Sequence, residues 1–265
     1  MNDKNDKNTF LTEKAGGLKS EFLTDRFLTD RNGNALPAII KGSGKPLVFL
    51  HGFMSSKEAF LNQINFFSKR FKVYAPDLKG FGENDKMPFP YTLGDYLNDF
   101  LFLVSQTNSK KVSVAAHSFG CRVALKALCE TDVIERAVLV GAAGLKTKKN
   151  ARYFFRKAGY KICKPFLPRE RLEAKFFSED YNMLGDVQKS SFKLVTSEKF
   201  DEKLFLIKAP VLAVFGENDR ETPPYLANRI VKSVPNARKY IMKGCGHFCF
   251  LENPAEFNLV LNEFL

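Results

Sequence analysis

Residues 112–130 read VSVAAHSFGCRVALKALCE, and the fold turns on the junction in the middle of that stretch. Val112 to Ala116 is a short, nearly continuous apolar run with β-branched residues, the pattern of a strand buried on both faces. Cys121 to Glu130 is built of good helix formers. Between them stands Ala116-His117-Ser118-Phe119-Gly120. A serine carried on a sharp strand-to-helix turn needs small residues two positions before and two after it, because the strained backbone brings those positions close together. Ala116 and Gly120 satisfy that need, with alanine where glycine is commoner. The bland alternative is an ordinary serine N-cap. A buried strand before the motif and a helix after it favour the elbow, in which Ser118 is a nucleophile.

The same alternation continues on both sides. Short apolar runs occur at Pro46 to Leu50, Phe71 to Ala75, Lys111 to Ala116, Arg136 to Val140, Pro210 to Phe215 and Arg238 to Met242. Helical stretches lie between or after them, at Lys57 to Lys69, Thr92 to Thr107, Phe119 to Glu130, Pro223 to Ser233 and Pro254 to Leu265. Strands alternating with helices in this way predict an α/β fold with a doubly wound, mostly parallel sheet. A hairpin is expected near the start, from Arg26 to Thr29 through the turn Asn32-Gly33 into Ala38 to Lys41. One interval breaks the rhythm, since residues 145–208 replace a single crossover helix with about sixty residues rich in Phe and Lys. The expected organisation is therefore a polar N-terminal tail over 1–20, a core formed by 21–144 and 209–265, and an inserted helical cap over 145–208.

Four further segments carry chemistry. Leu50-His51-Gly52-Phe53 closes an early strand, where acyl transfer requires a backbone N–H donor for the developing oxyanion; the second donor is the residue after the nucleophile. Phe53 and Phe119 are the expected donors. Asp77-Leu78-Lys79-Gly80-Phe81-Gly82 makes a tight rim loop without the spacing of a phosphate-binding motif, and Asp77 is read as structural. The run Val211 to Phe215 ends in Gly216-Glu217-Asn218-Asp219, where a carboxylate that orients a histidine belongs; Asp219 is the candidate and Glu217 the fallback. Finally, Lys243-Gly244-Cys245-Gly246-His247-Phe248 follows the last run. Of the three histidines, two belong to the segments at His51 and His117, so His247 is the general base by elimination and by position. Cys245 and Cys249 beside it invite a metal reading, but no second histidine or paired Cys-x-x-Cys accompanies them, and no metal or cofactor is expected.

Taken together, these motifs resemble the α/β-hydrolase family, in the serine hydrolase branch with a helical cap, over nearly everything from Phe22 to Leu265. The resemblance implies Ser118 as nucleophile, Asp219 as acid, His247 as base, and the amides of Phe53 and Phe119 as oxyanion hole. It says much less about substrate. Haloalkane dehalogenases and epoxide hydrolases share the architecture but use an aspartate nucleophile, and the dehalogenases hold halide with tryptophan; this chain has Ser118 and no Trp. The expected activity is cleavage of a small-molecule carboxylic ester with an apolar or acyl group through an acyl-enzyme. Carbon–carbon bond hydrolysis with the same triad is the enzymatic alternative, and a non-catalytic binding protein on the same scaffold is the alternative from another class.

Composition narrows the setting. The 265 residues are 45% hydrophobic and 26% charged, which excludes a disordered or fibrous chain. Every apolar run is interrupted by charge well short of a membrane span. The first twenty residues lack the apolar segment of a secretory signal, and five scattered cysteines suit reduced thiols, so a cytoplasmic location is expected. The net charge of +12 is local: residues 145–175 hold eleven basic side chains against Glu170 and Glu173. With Phe154, Phe155 and Phe166 interleaved, that stretch suits weak contact with an anionic lipid surface, set against the plainer reading of a solvated helix face. No nucleic-acid recognition motif accompanies the charge, so no nucleic-acid partner is expected. The sequence carries no signal for oligomeric state.

Overall fold

The strand and helix periodicities resolve, in a computed structural model, into the elements of a layered α/β fold; residues 28–148 and 179–265 are described, with Pro168 and Arg171. In chain order these are β1 (Leu28–Thr29), β2 (Ala35–Leu36), β3 (Ala38–Lys41), β4 (Lys45–Leu50), a 3-10 turn (Lys57–Phe60), α1 (Leu61–Phe67), β5 (Phe71–Pro76), α2 (Leu93–Ser105), β6 (Val112–His117), α3 (Phe119–Glu130) and β7 (Ile134–Val140). The chain continues through α4 (Glu179–Asn182), α5 (Asp186–Ser197), β8 (Val211–Gly216), α6 (Tyr225–Ser233), β9 (Ala237–Met242), α7 (Cys249–Glu252) and α8 (Pro254–Phe264).

Seven strands form one sheet in the order β3-β5-β4-β6-β7-β8-β9. Only β3 runs antiparallel; β5, β4, β6, β7, β8 and β9 pair in parallel. Because side chains alternate across a strand, each central strand feeds two cores. Val48, Leu50, Val114, Ala116, Leu139 and Ala213 join the cluster beneath α2, α3 and α6. Leu47, Phe49, Ala115, Val138, Val140 and Val214 face Ile64, Phe67, Phe257 and Leu261 of α1 and α8 on the other side. The chain leaves β4 in one direction, to β5, and returns past it to β6, so the order reverses between β4 and β6. The crevice outside the carboxyl ends of strands at such a reversal is where open α/β sheets place ligands. His51-Gly52-Phe53 and Ser118 both emerge there.

Three expectations are revised. The hairpin pairs β1 with β2, Leu28 opposite Leu36, rather than with Ala38–Lys41. Pro37, which has no N–H to give a ladder, separates β2 from β3, and β3 pairs with β5 at the edge of the main sheet. The strand at Ala237–Met242 is the opposite edge, not buried on both faces; Arg238, Lys239 and Tyr240 are exposed and blunt that edge. The helix expected over Lys57 to Lys69 is a 3-10 turn followed by α1, ending at Phe67. Within residues 145–208, α4 and α5 are helical and the tail over 1–20, together with most of the basic stretch, lies outside the described residues. Of the basic side chains that are described, Lys146 pairs with Glu202 at 2.7 Å and Lys148 lies 5.4 Å over the Tyr225 ring.

Candidate active site

Ser118 sits at φ 47°, ψ −104°, at the N-terminus of α3, and its hydroxyl makes no capping bond to the helix. The side chain is not spent on the helix, unlike an ordinary N-cap serine, and the backbone adopts a conformation that L-residues disfavour. The local sequence holds the turn in place. The Ser118 amide donates to the Val140 carbonyl at 2.9 Å and the Gly120 amide to the His51 carbonyl at 3.1 Å. A Cβ at Gly120 would press into the carbonyls of Leu50 and His51, so the glycine is what lets α3 start against the end of β4.

The loop after β8 places Asp219, and the loop after β9 places His247. Asp219 Oδ2 lies 2.8 Å from His247 Nδ1. Asp219 Oδ1 accepts from the amides of Glu221 and Thr222, each at 2.9 Å, and the Thr222 hydroxyl donates to Oδ2 at 2.8 Å. Burial works to raise the Asp219 carboxyl, but these hydrogen bonds, His247's first, outweigh it and hold the group below its ordinary value. Asp219 is thus an ionised acceptor, which fixes the proton of a neutral His247 on Nδ1 and leaves Nε2 with a lone pair. The fallback carboxylate is elsewhere: Glu217 accepts from the Gly244 amide at 2.9 Å.

The end of β7 lies against both Ser118 and His247. Val140 takes the Ser118 amide, and the next residue, Gly141 at φ 52°, lies so close to the imidazole that an added Cβ would stand 3.0 Å from His247 Cε1. His117 completes the bridge. Its Nε2 is 3.0 Å from the His247 carbonyl and its ring centroid 4.7 Å from that of His247. Burial, with the neighbouring His247, pushes the His117 imidazole well below its ordinary range, so it is neutral and donates to that carbonyl.

Among the described residues, no acceptor takes the amide hydrogens of Phe53 or Phe119. Their rings stand 6.4 Å apart, with Phe81 edge-on to both at 5.5 and 5.4 Å. Phe192 of α5 closes over Phe53 at 4.7 Å. Together with Tyr96 and Leu184 these rings line a cavity of about 240 Å³, bordered by Phe119 of the Ser118 turn. A larger cavity of about 570 Å³ lies behind Tyr96, toward the β1–β2 hairpin. Of the two, the smaller is the one walled by Phe53 and Phe119.

Asp77 is held away from this chemistry, as the sequence reading had it. Its carboxylate takes the Lys57 ammonium at 2.8 Å and the amides of Lys57 and Glu83. The Leu78 amide next to it donates to His51 Nε2 at 2.9 Å, tying this loop to the one that carries Phe53. Cys245 and Cys249 are buried free thiols, and among the described residues no three His, Cys, Asp or Glu side chains are grouped to hold a metal.

The structure adds residues that the sequence reading missed. Thr222 follows Asp219 in an Asp-x-x-Thr turn, a pattern in which an aspartate binds the amides just beyond it; that was its available signal. Glu221 brings a carboxylate oxygen to 3.6 Å from His247 Nε2, and nothing in the local sequence marks it.

Comparison with known proteins agrees with this fold. A family model described as the alpha/beta hydrolase family matches residues 47–258. A curated relative, 2-hydroxy-6-oxo-6-(2'-aminophenyl)hexa-2,4-dienoic acid hydrolase of Metapseudomonas resinovorans, is 24% identical over 240 residues, covering 82% of each chain. A solved membrane phospholipase A, described as a bacterial virulence factor, superposes with a TM-score of 0.74 at 19% identity, covering 97% of this chain and 88% of its own. A solved serine hydrolase involved in carbazole degradation superposes at 0.71 and 21% identity, covering 91% and 98%. Among the described residues, no helix is long and apolar enough to cross a membrane.

Proposed function

This chain belongs to the alpha/beta hydrolase family, and from that membership we propose that it is a serine hydrolase that cleaves a carboxylic ester through an acyl-enzyme. The observation that carries the reading is Ser118 itself, strained at a helix N-terminus with its hydroxyl unspent, on the same end of the sheet as a histidine already oriented by a buried carboxylate. In the proposed reaction His247 Nε2 takes the hydroxyl proton as Ser118 Oγ bonds to the ester carbonyl carbon. The negative charge that forms on the carbonyl oxygen is met by the amides of Phe53 and Phe119. Asp219 stabilises the imidazolium without taking its proton. His247 then protonates the departing alkoxide oxygen, and the ester C–O bond breaks. Water, deprotonated by the same nitrogen, releases the acid and restores Ser118.

Carbon–carbon hydrolysis is the second reading, supported by the relative whose name states a dienoic acid substrate. Such a substrate brings a carboxylate that a cation would have to meet. Among the described residues, the lining of the cavity at Phe53 and Phe119 offers Tyr96, Gln188 and Ser191 as its polar groups and no Lys or Arg. A neutral ester is compatible with that lining. The test is a panel of p-nitrophenyl esters of graded chain length run beside a 2-hydroxy-6-oxo-dienoate, with products identified by mass. Turnover of the esters supports the proposal; turnover of the dienoate alone replaces it with the second reading.

A further inference from the structure

The cavity walled by Phe53 and Phe119 is the smaller of two that meet at Tyr96. The larger one, behind it, has no part in the chemistry described above. Tyr96 lines both. Its ring stands edge-on to Phe119 with centroids 5.3 Å apart on the catalytic side, and its hydroxyl donates to the Lys79 carbonyl at 2.7 Å. The partition between the two spaces is thus one aromatic side chain from α2, latched by one hydrogen bond.

The far cavity has an apolar floor of Leu36, Leu50, Leu78, Phe100 and Leu103. The charges at its rim are turned toward each other or toward neighbouring turns. Arg31 Nε holds Asp99 at 2.6 Å, Asp30 is bonded by Asn34, and Lys79 donates to Asn84 at 3.2 Å. Asp77, also in the lining, is held by Lys57 at 2.8 Å. Each of these charged groups has a hydrogen-bond partner at the rim, and the apolar floor suits an apolar chain. The cavity's lining includes Leu50, whose strand leads through His51-Gly52 into Phe53, so it adjoins the proposed oxyanion loop.

We infer that this cavity is a distal acyl subsite of the Ser118 site, entered past Tyr96, which receives the far end of a long fatty acyl chain whose carbonyl lies at Ser118. The inference rests on the ester-hydrolase reading above. A short acyl group fills the first cavity with Tyr96 in place. A long one displaces the Tyr96 ring from the partition, releases its bond to Lys79 and runs over Leu78 and Phe100. Each methylene transferred from water to that floor favours binding by about fourfold, so the cavity would set the chain-length preference.

The experiment compares kcat/KM for p-nitrophenyl butyrate and p-nitrophenyl dodecanoate in the wild type, Leu36→Trp and Tyr96→Phe. Leu36→Trp fills the far cavity from the hairpin side and should lower the dodecanoate-to-butyrate ratio at least tenfold. Tyr96→Phe keeps the ring but loses the latch, and should raise the ratio severalfold. Labelling of both variants by a short-chain fluorophosphonate confirms an intact Ser118 site. Ratios unchanged in both labelled variants, or a wild type that cleaves butyrate but not dodecanoate, would overturn the distal subsite and leave the ester reading standing. A wild type that cleaves neither ester overturns the ester reading and the subsite with it.

Discussion

Replacing Ser118 with glycine should make the protein more stable while removing its activity. At φ 47°, ψ −104° the serine occupies a region that costs an L-residue about 1–3 kcal/mol, and a glycine nothing comparable. Against this stands the greater freedom of glycine in the unfolded chain, about 0.5–1 kcal/mol. Because the Ser118 hydroxyl caps nothing, its removal forfeits no helix-end hydrogen bond. The net gain is about 1 kcal/mol, or about 2–4 °C in Tm for a chain of this size. Ser118→Ala is the control, since alanine keeps the Cβ and hence the strain; it should lose activity equally and gain little stability. Urea titrations and thermal melts of the three proteins read this directly. A glycine variant no more stable than the alanine variant would refute the claim that the elbow stores strain.

Asp219→Asn should cost about 10⁴-fold in kcat by losing the acceptor that fixes the His247 tautomer, while Glu217→Gln, which touches only the Gly244 amide, should leave kcat near wild type; steady-state kinetics on one ester separates them. His51 and His117 are both held below their ordinary value, chiefly by burial. Their neutral forms are favoured by the fold, so stability is complete above the unfolded value near ~6.5 and falls as pH drops below it, by at most about 2.7 kcal/mol per pH unit when the unfolded chain binds both protons; urea midpoints from pH 8 to 5 should show the decline. Lys57→Met leaves Asp77 buried without its cation and should destabilise by about 3–5 kcal/mol in the same titration.

What the sequence revealed of this molecule follows from which signals are local. The elbow is legible because strand, small residues and helix lie within 19 consecutive positions, 112–130. The parallel core is legible because strands buried on both faces are apolar throughout. Strand partners are not local, and the expected pairing of Ala38–Lys41 within the hairpin does not form: the Asn32-Gly33 turn marks a hairpin, but the two-residue β2 and Pro37 that ends it leave too weak a pattern to see. The edge position of β9 shows in its Arg238-Lys239-Tyr240 run only once its place in the sheet is known. At the site, Ser118, Asp219 and His247 each follow a strand, so the sequence presents them in order as candidates. The positions of Glu221 and Tyr96 carry no such signal, since they depend on what other elements bring beside them.

The most direct test of the account is covalent: reaction of the intact protein with a fluorophosphonate, followed by peptide mass mapping. The account predicts one adduct, on the peptide carrying Ser118, blocked by prior turnover-competent ester and absent from Ser118→Ala. Undiminished labelling of the alanine variant, or an adduct on a different serine, would contradict it.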